Sequence, residues 1–197
     1  MEEFFLEMTR TAGKLSREQA QKVSEEHGII NYGPGLNWQD EYVPVTTLSK
    51  GFIVRAGSVR KDKPNVIDGK SLTYLKVSGN DTDQQLSIFE YQGKQKGGPP
   101  LHVHPKQDET FYITSGSYVF QCGEERFDLS AGDMIFLPKG IPHTWAQLTE
   151  AGSLLYFFQP AGKMEQFFNT LGRGDLPRGY DVFKDHEMEV VGPPIAY

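Results

Sequence analysis

The chain has one cysteine in 197 residues, Cys122. A lone thiol excludes an internal disulfide framework and fits a reducing compartment, so a cytoplasmic setting is expected. Positive charge is also short: 20 Lys and Arg stand against 26 Asp and Glu, for a net charge of −6. That balance argues against nucleic-acid binding, which normally leaves a basic patch. Residues 1–37 hold only four basic side chains and show no helix-turn-helix pattern. Long hydrophobic runs are missing, with no stretch near the roughly 18 apolar residues that a membrane span needs. The opening Met1-Glu2-Glu3-Phe4-Phe5-Leu6-Glu7 is acidic where a secretory leader would be basic, so no such leader is expected. A chain this long buries roughly 70% of its unfolded surface and needs no staples to fold.

Glycine and aromatics are plentiful. There are 21 glycines, where average usage would give about 14. Twelve prolines, 13 Phe, 9 Tyr and 2 Trp accompany them. Turn formers combined with aromatics read as many short strands joined by tight turns, hence an all-β sandwich or barrel.

The two ends depart from this pattern. Met1, Phe4, Phe5 and Met8 recur at helical spacing. Ser16-Arg17-Glu18-Gln19 is a capping box, Ala20 and Val23 give a modest apolar face, and Gly28 suits a helix C′ position. Two short helices are therefore predicted before residue 28, with a break at Gly33-Pro34-Gly35. Strands are predicted over Phe52–Arg55, Ser71–Val77, Gln85–Tyr91, Glu109–Thr114, Ser117–Cys122, Arg126–Leu129, Met134–Leu137, His143–Gln147 and Leu154–Phe158. The charged run Arg60–Asn65 reads as a solvated loop. After Pro160, Met164, Phe167, Phe168 and Leu171 share a helical face that Gly172 stops. The resulting scheme is a helical N-terminal arm (1–37), a β-barrel (38–160) and a helical C-terminal tail (161–197). The ends also echo each other. Met1-Glu2-Glu3-Phe4-Phe5 matches Met164-Glu165-Gln166-Phe167-Phe168, and the run from His27 to Gly35 matches that from His186 to Pro194. Descent from a two-barrel chain that lacks its first barrel would explain the echo; two amphipathic pieces of similar composition would also produce it.

The chemistry sits in three of the five histidines. His102-Val103-His104 lies on a strand-like run, so both imidazoles project from one face, within reach of a single ion. Glu109 follows a short Pro-containing loop and offers one carboxylate oxygen. His143 lies further on and needs the fold to bring it near. Three imidazoles and a carboxylate suit Fe, Mn, Ni, Cu or Zn better than Ca or Mg, and leave positions free for water, substrate or dioxygen. His27 and His186, in the tails, read as exposed polar residues, and Cys122 as a small apolar filler.

His102-x-His104-x4-Glu109-x6-Gly116 resembles the first motif of the cupin superfamily, and Gly132-x5-Pro138-x-Gly140-x2-His143 resembles the second. The resemblance covers about residues 51–160. The tail from Pro160 to Gly172 is similar to that of quercetin-dioxygenase-like cupins. Two positions depart from the pattern. Lys96 stands where the first motif opens with glycine, the glycines being Gly97 and Gly98, and Gln147 stands where the second closes with asparagine.

The resemblance implies a cupin jelly-roll barrel, a double-stranded β-helix, with short helical tails. It implies one divalent transition metal per barrel, held by His102, His104, Glu109 and His143. Strand parity places Phe111 and Ile113 on the face of Glu109, and Trp145 and Gln147 on that of His143, as pocket-wall residues. The implied activity is dioxygenase-like oxidation of a small, aromatic or enolisable substrate, with Glu109 as a proton acceptor. The alternatives are a non-oxidative cupin enzyme (an isomerase, decarboxylase or hydrolase) and a non-catalytic small-molecule binding cupin. The expected partners are a small-molecule ligand and a second copy of the chain, in a homodimer with exchanged N-terminal arms. Neither nucleic acid nor membrane is expected.

Overall fold

The computed structural model describes all residues except Ala12, residues 31–50, Asp62, Asp175 and residues 177–180. It divides into two compact units, Met1–Gly51 and Phe52–Tyr197. The expected boundary at residue 37 and the break at Gly33-Pro34-Gly35 fall outside the described residues.

The first unit contains α1 (Glu2–Arg10) and α2 (Arg17–Glu26). Ser16 caps α2 as a full capping box with Gln19, and Gly28 follows the helix with φ of 74°, as the sequence predicts. His27 is not a free surface residue. Its Nε2 lies 3.1 Å from Glu7 Oε2, and its ring meets Phe4 edge-on.

The second unit holds β1 (Asn65–Ile67), β2 (Ser71–Val77), β3 (Ser87–Gly93), β4 (Pro100–Val103), β5 (Asp108–Ser115) and β6 (Ser117–Cys122). It continues with β7 (Glu125–Ser130), β8 (Met134–Leu137), β9 (His143–Gln147) and β10 (Gly152–Gln159). Then come α3 (Met164–Leu171), α4 (Val182–Asp185) and β11 (Glu189–Pro194). One antiparallel sheet has the order β1-β2-β3-β10-β5-β8, and the other β11-β4-β9-β6-β7. The two-sheet, all-β barrel is the expected architecture.

Alternation along the strands sorts the side chains. In β3 and β10, Phe89 and Tyr91 face Tyr156 and Leu154 inside the barrel. In β5 the inward set is Glu109, Phe111 and Ile113. The core joins these residues to Tyr118, Phe120 and Leu137, and to Met164, Phe167 and Phe168 of α3. Each fully buried aromatic is worth roughly 1.5–3 kcal/mol of transfer free energy, so this cluster dominates the barrel's cohesion.

Three elements differ from the sequence reading. Residues 52–55 form no strand, because none of the described residues pairs with them. Strand β3 starts at Ser87 and not Gln85, since the Leu86 N–H donates to Thr82 Oγ1 (3.0 Å) and is lost to the ladder. The C-terminal tail is helical only in part. After α3 and α4 the chain enters β11, which pairs with β4 and sets Val190 opposite His102. This also limits the echo between the ends. The Met1 and Met164 segments are both helical, but 189–194 is strand, while of the matching 30–35 all but Ile30 lies outside the described residues.

Candidate metal centre

Three neighbouring segments bring the histidines together. His102 lies on β4 directly opposite His143 at the start of β9, and His104 follows β4 by one residue. Glu109 enters from the other sheet on β5. All four side chains are buried, and one ligand atom from each lies within 4.8 Å of the others.

Hydrogen bonds at the far side of each ring orient the imidazoles. His102 Nδ1 donates to the Pro100 carbonyl (2.8 Å), and His143 Nδ1 donates to the Ile141 carbonyl (2.9 Å). A carbonyl can only accept, so each Nδ1 carries a proton, which leaves Nε2 as the nitrogen that can ligate once it is unprotonated. Burial disfavours the charged form of His102 and His104. It lowers the pKa of His102 to about 4, helped by the charge of His143. It lowers that of His104 to about 3, helped by the charges of His102 and His143.

Glu109 is the anion of the group. Its Oε2 lies 3.1 Å from His143 Nε2 and 3.7 Å from His104 Nε2. Burial pushes the carboxyl pKa up, against the bond and charge of His143, which pull it down. The 3.1 Å contact of Glu109 Oε2 with His143 Nε2 needs a positive charge between its atoms, either a proton or a metal ion. A divalent ion can supply that charge, and a mixed N/O donor set suits a transition metal. The donor set therefore fits the group that the sequence pattern implies.

A cavity of about 200 Å³ opens onto this centre. That is small beside the roughly 300–1,000 Å³ of typical ligand cavities, so only a small molecule fits. Phe111 and Trp145 line it, in the places parity gives them. Ile113 and Gln147 do not. Ile113 is wholly buried in the core, and Gln147 Oε1 accepts from Tyr118 while its amide donates to the Thr149 carbonyl. Much of the remaining wall comes from Phe158 and from the α3 face of Met164, Phe167 and Phe168, which the sequence analysis did not assign to the pocket. The signal was present in the i, i+3, i+4 face of α3, but only β10 and the loop after it decide where that face lands. The cavity's two tyrosines turn their hydroxyls away, Tyr91 donating to Ser71 and Tyr156 bonded to Thr73. Besides the metal-site residues, Asp68 is the charged side chain that lines the cavity. His186 is not exposed as expected. It is buried, with Nδ1 2.7 Å from the Val182 carbonyl.

Residues 87–158 match the family profile described as the Cupin domain. The match spans β3 to β10 and contains all four candidate ligands. Residues 87–158 of this barrel are thus similar to a cupin domain. Among solved structures, a predicted oxalate decarboxylase from Thermotoga maritima superposes with a TM-score of 0.50 at 18% identity, over 55% of this chain and 99% of that one. KdgF from Halomonas sp. gives a TM-score of 0.49 at 15% identity, over 56% of this chain and 94% of that one. An uncharacterized protein of Aquifex aeolicus is 33% identical over 60 residues, which is 30% of this chain and 50% of that protein. The aligned stretch thus spans half the length of that relative.

Proposed function

We propose that this cupin holds one divalent transition metal on His102, His104, Glu109 and His143 and carries out dioxygenase-like oxidation of a small aromatic or enolisable substrate. The observation that carries the reading is the convergence of three buried imidazoles and the Glu109 carboxylate, with one ligand atom from each within 4.8 Å of the others. When bound, the metal would acidify a coordinated substrate hydroxyl and steady the charge that develops on it. The residues supply the rest. The Nδ1 bonds hold His102 and His143 in the ligating tautomer. The apolar wall of Phe111, Trp145, Phe158 and Phe168 excludes water and favours a flat apolar ligand. Glu109, whose carboxyl binds a proton more readily than an ordinary one, can accept the substrate's proton at Oε2.

The test starts with metal analysis of protein purified without added metal, beside a His102→Ala control. About one equivalent in the natural protein and almost none in the variant is expected; equal metal in both overturns the site. Oxygen uptake with phenolic and enolisable chelators then tests the reaction. Turnover that persists without oxygen would favour an isomerase, decarboxylase or hydrolase, and saturable binding without turnover would favour a binding role.

The protein is taken to act as a cytoplasmic homodimer with exchanged N-terminal arms. Supporting the arm's role is its unfinished packing: α1 buries none of its residues, and Met1, Phe5 and Leu6 are exposed. Deleting residues 1–37 should yield a monomer by light scattering, and an unchanged dimer would sink the exchange.

A further inference from the structure

Gln107 lies in the loop between β4 and β5, two residues before Glu109, and is 4% exposed. Its amide orientation is fixed. Nε2 donates to two carbonyls, Pro160 (3.1 Å) and Ala161 (3.0 Å). With both amide hydrogens so engaged, Oε1 must turn the other way, and it faces His104 Nδ1 at 3.4 Å. An amide oxygen can only accept, so His104 carries its proton on Nδ1 and its lone pair on Nε2. His102 and His143 take this tautomer from backbone carbonyls two residues upstream of themselves. His104 alone takes it from a side chain, and that side chain is held by a distant segment.

That segment is the turn between β10 and α3. It makes room for Gln107 through Gly162, where an added Cβ would overlap Gln107 Nε2 and where φ is +53°. The same turn leads into α3, whose Met164, Phe167 and Phe168 wall the cavity. Ordering the turn and ordering His104 are therefore one event, with Gln107 as the link.

We propose that Gln107 is a positioning residue: it fixes the tautomer and orientation of His104 for metal ligation and ties that ligand to the turn that carries the cavity's helical wall. The consequence for affinity rests on the metal reading above; the tautomer does not.

The experiment has a metal-free arm and a metal arm. In the metal-free protein, ¹⁵N NMR of the imidazoles should show His104 protonated at Nδ1, and Gln107→Ala should shift it toward a mixture or the Nε2 form. In the metal arm, competitive-chelator titration with Zn(II) should show 10–100-fold weaker binding for Gln107→Ala, the usual loss when an outer partner of a ligating histidine is removed. The EPR spectrum of the Cu(II)-loaded variant should change as well. Gly162→Ala, which leaves every ligand and Gln107 itself intact, should reproduce both effects in weaker form. Gln107→Glu retains an acceptor for His104 but no donor for the two carbonyls. It should keep the Nδ1–H tautomer and most of the Zn(II) affinity while lowering thermal stability. If Gln107→Ala does not fold, Gly162→Ala and Gln107→Glu carry the test. The proposal is overturned if folded Gln107→Ala or Gly162→Ala shows the natural His104 tautomer, or natural Zn(II) affinity with an unchanged Cu(II) spectrum, or if folded Gln107→Glu loses the Nδ1–H tautomer, whatever happens to their melting temperatures. Failure of the natural protein to bind Zn(II) would instead defeat the metal reading, leaving the NMR arm to judge Gln107.

Discussion

His104 and His143 lie with their ring planes 3° from parallel and their centroids 5.4 Å apart, and both turn Nε2 toward Oε2 of Glu109. A proton bridges the 3.1 Å contact with His143, while His104 at 3.7 Å makes no hydrogen bond. Burial of the carboxyl costs free energy in the metal-free protein, and a bound cation would offset it. Glu109→Gln should separate these states. The neutral amide can donate to His143 Nε2, so melting of the chelator-treated variant should rise, by about 1–3 kcal/mol in stability. Zn(II) affinity should fall by more than ~100-fold, beyond the loss typical of an outer partner. A loss of stability in both states would contradict this account.

Acidification should destabilise the metal-free protein. Unfolded, His102 and His104 take up protons near pH 6.5; folded, they do so only near pH 4 and 3. The unfolded chain binds more protons across that interval, so stability falls as pH drops from about 6.5 toward 4. For one imidazole held from 6.5 to about 4, the full cost below that pH is ~3 kcal/mol. Glu109 acts in the opposite sense, because its raised pKa lets the folded state take a proton first, and it offsets part of the loss. Urea midpoints of chelator-treated protein should therefore be lower at pH 4.5 than at pH 7; a flat profile would show that the imidazoles are not desolvated.

Gly98 is the tightest backbone approach near the ligands. An added Cβ would overlap the Trp145 carbonyl oxygen, which is backbone and cannot swing aside. Gly98→Ala should push β4 away from β9 and misplace His102 against His143. A stability loss of about 3 kcal/mol, at the upper end for overpacking, is expected together with weaker Zn(II) binding. Gly97→Ala, with no clash at its Cβ but a φ of 121°, should cost less.

Strand β4 meets β9 at one residue pair, His102 and His143, whereas β11 pairs with it from Pro100 to Val103. Val190→Pro should break that pairing opposite His102. The Val190 side chain is 47% exposed, so the effect would come from the backbone and not from lost packing. A loss of about 1 kcal/mol, that of one ladder hydrogen bond, and a parallel drop in Zn(II) affinity are expected, with Val190→Thr near natural on both measures.

Much of this centre was legible in the sequence because it is local. His102, His104 and Glu109 lie on adjoining pieces of chain, and strand alternation alone gives Phe111 its inward face. The departure at Lys96 also resolves simply. The glycine that the barrel needs is Gly98, two residues later, where it meets the Trp145 carbonyl. What could not be read depends on contacts between distant segments. Gln147 has the right parity for the cavity wall, but Tyr118 and the Thr149 carbonyl hold its amide within the barrel. Gln107 looks like any loop polar residue until the Pro160–Ala161 carbonyls are placed beside it. Strand β11 carries two prolines and a glycine in six residues, a composition that signals a loop; it forms a strand because β4 offers an edge, with register shifts at Gly192 and Pro194.

That edge has a consequence for how the protein is made. On a ribosome the strand bearing His102 emerges long before the segment that completes its pairing. Until residues 189–194 leave the exit tunnel, β4 is an open edge beside partly assembled ligands, and pairing across so long a loop is slow to form. The nascent barrel is thus exposed to wrong strand partners and to premature or incorrect metal capture, and β11 closes that window last.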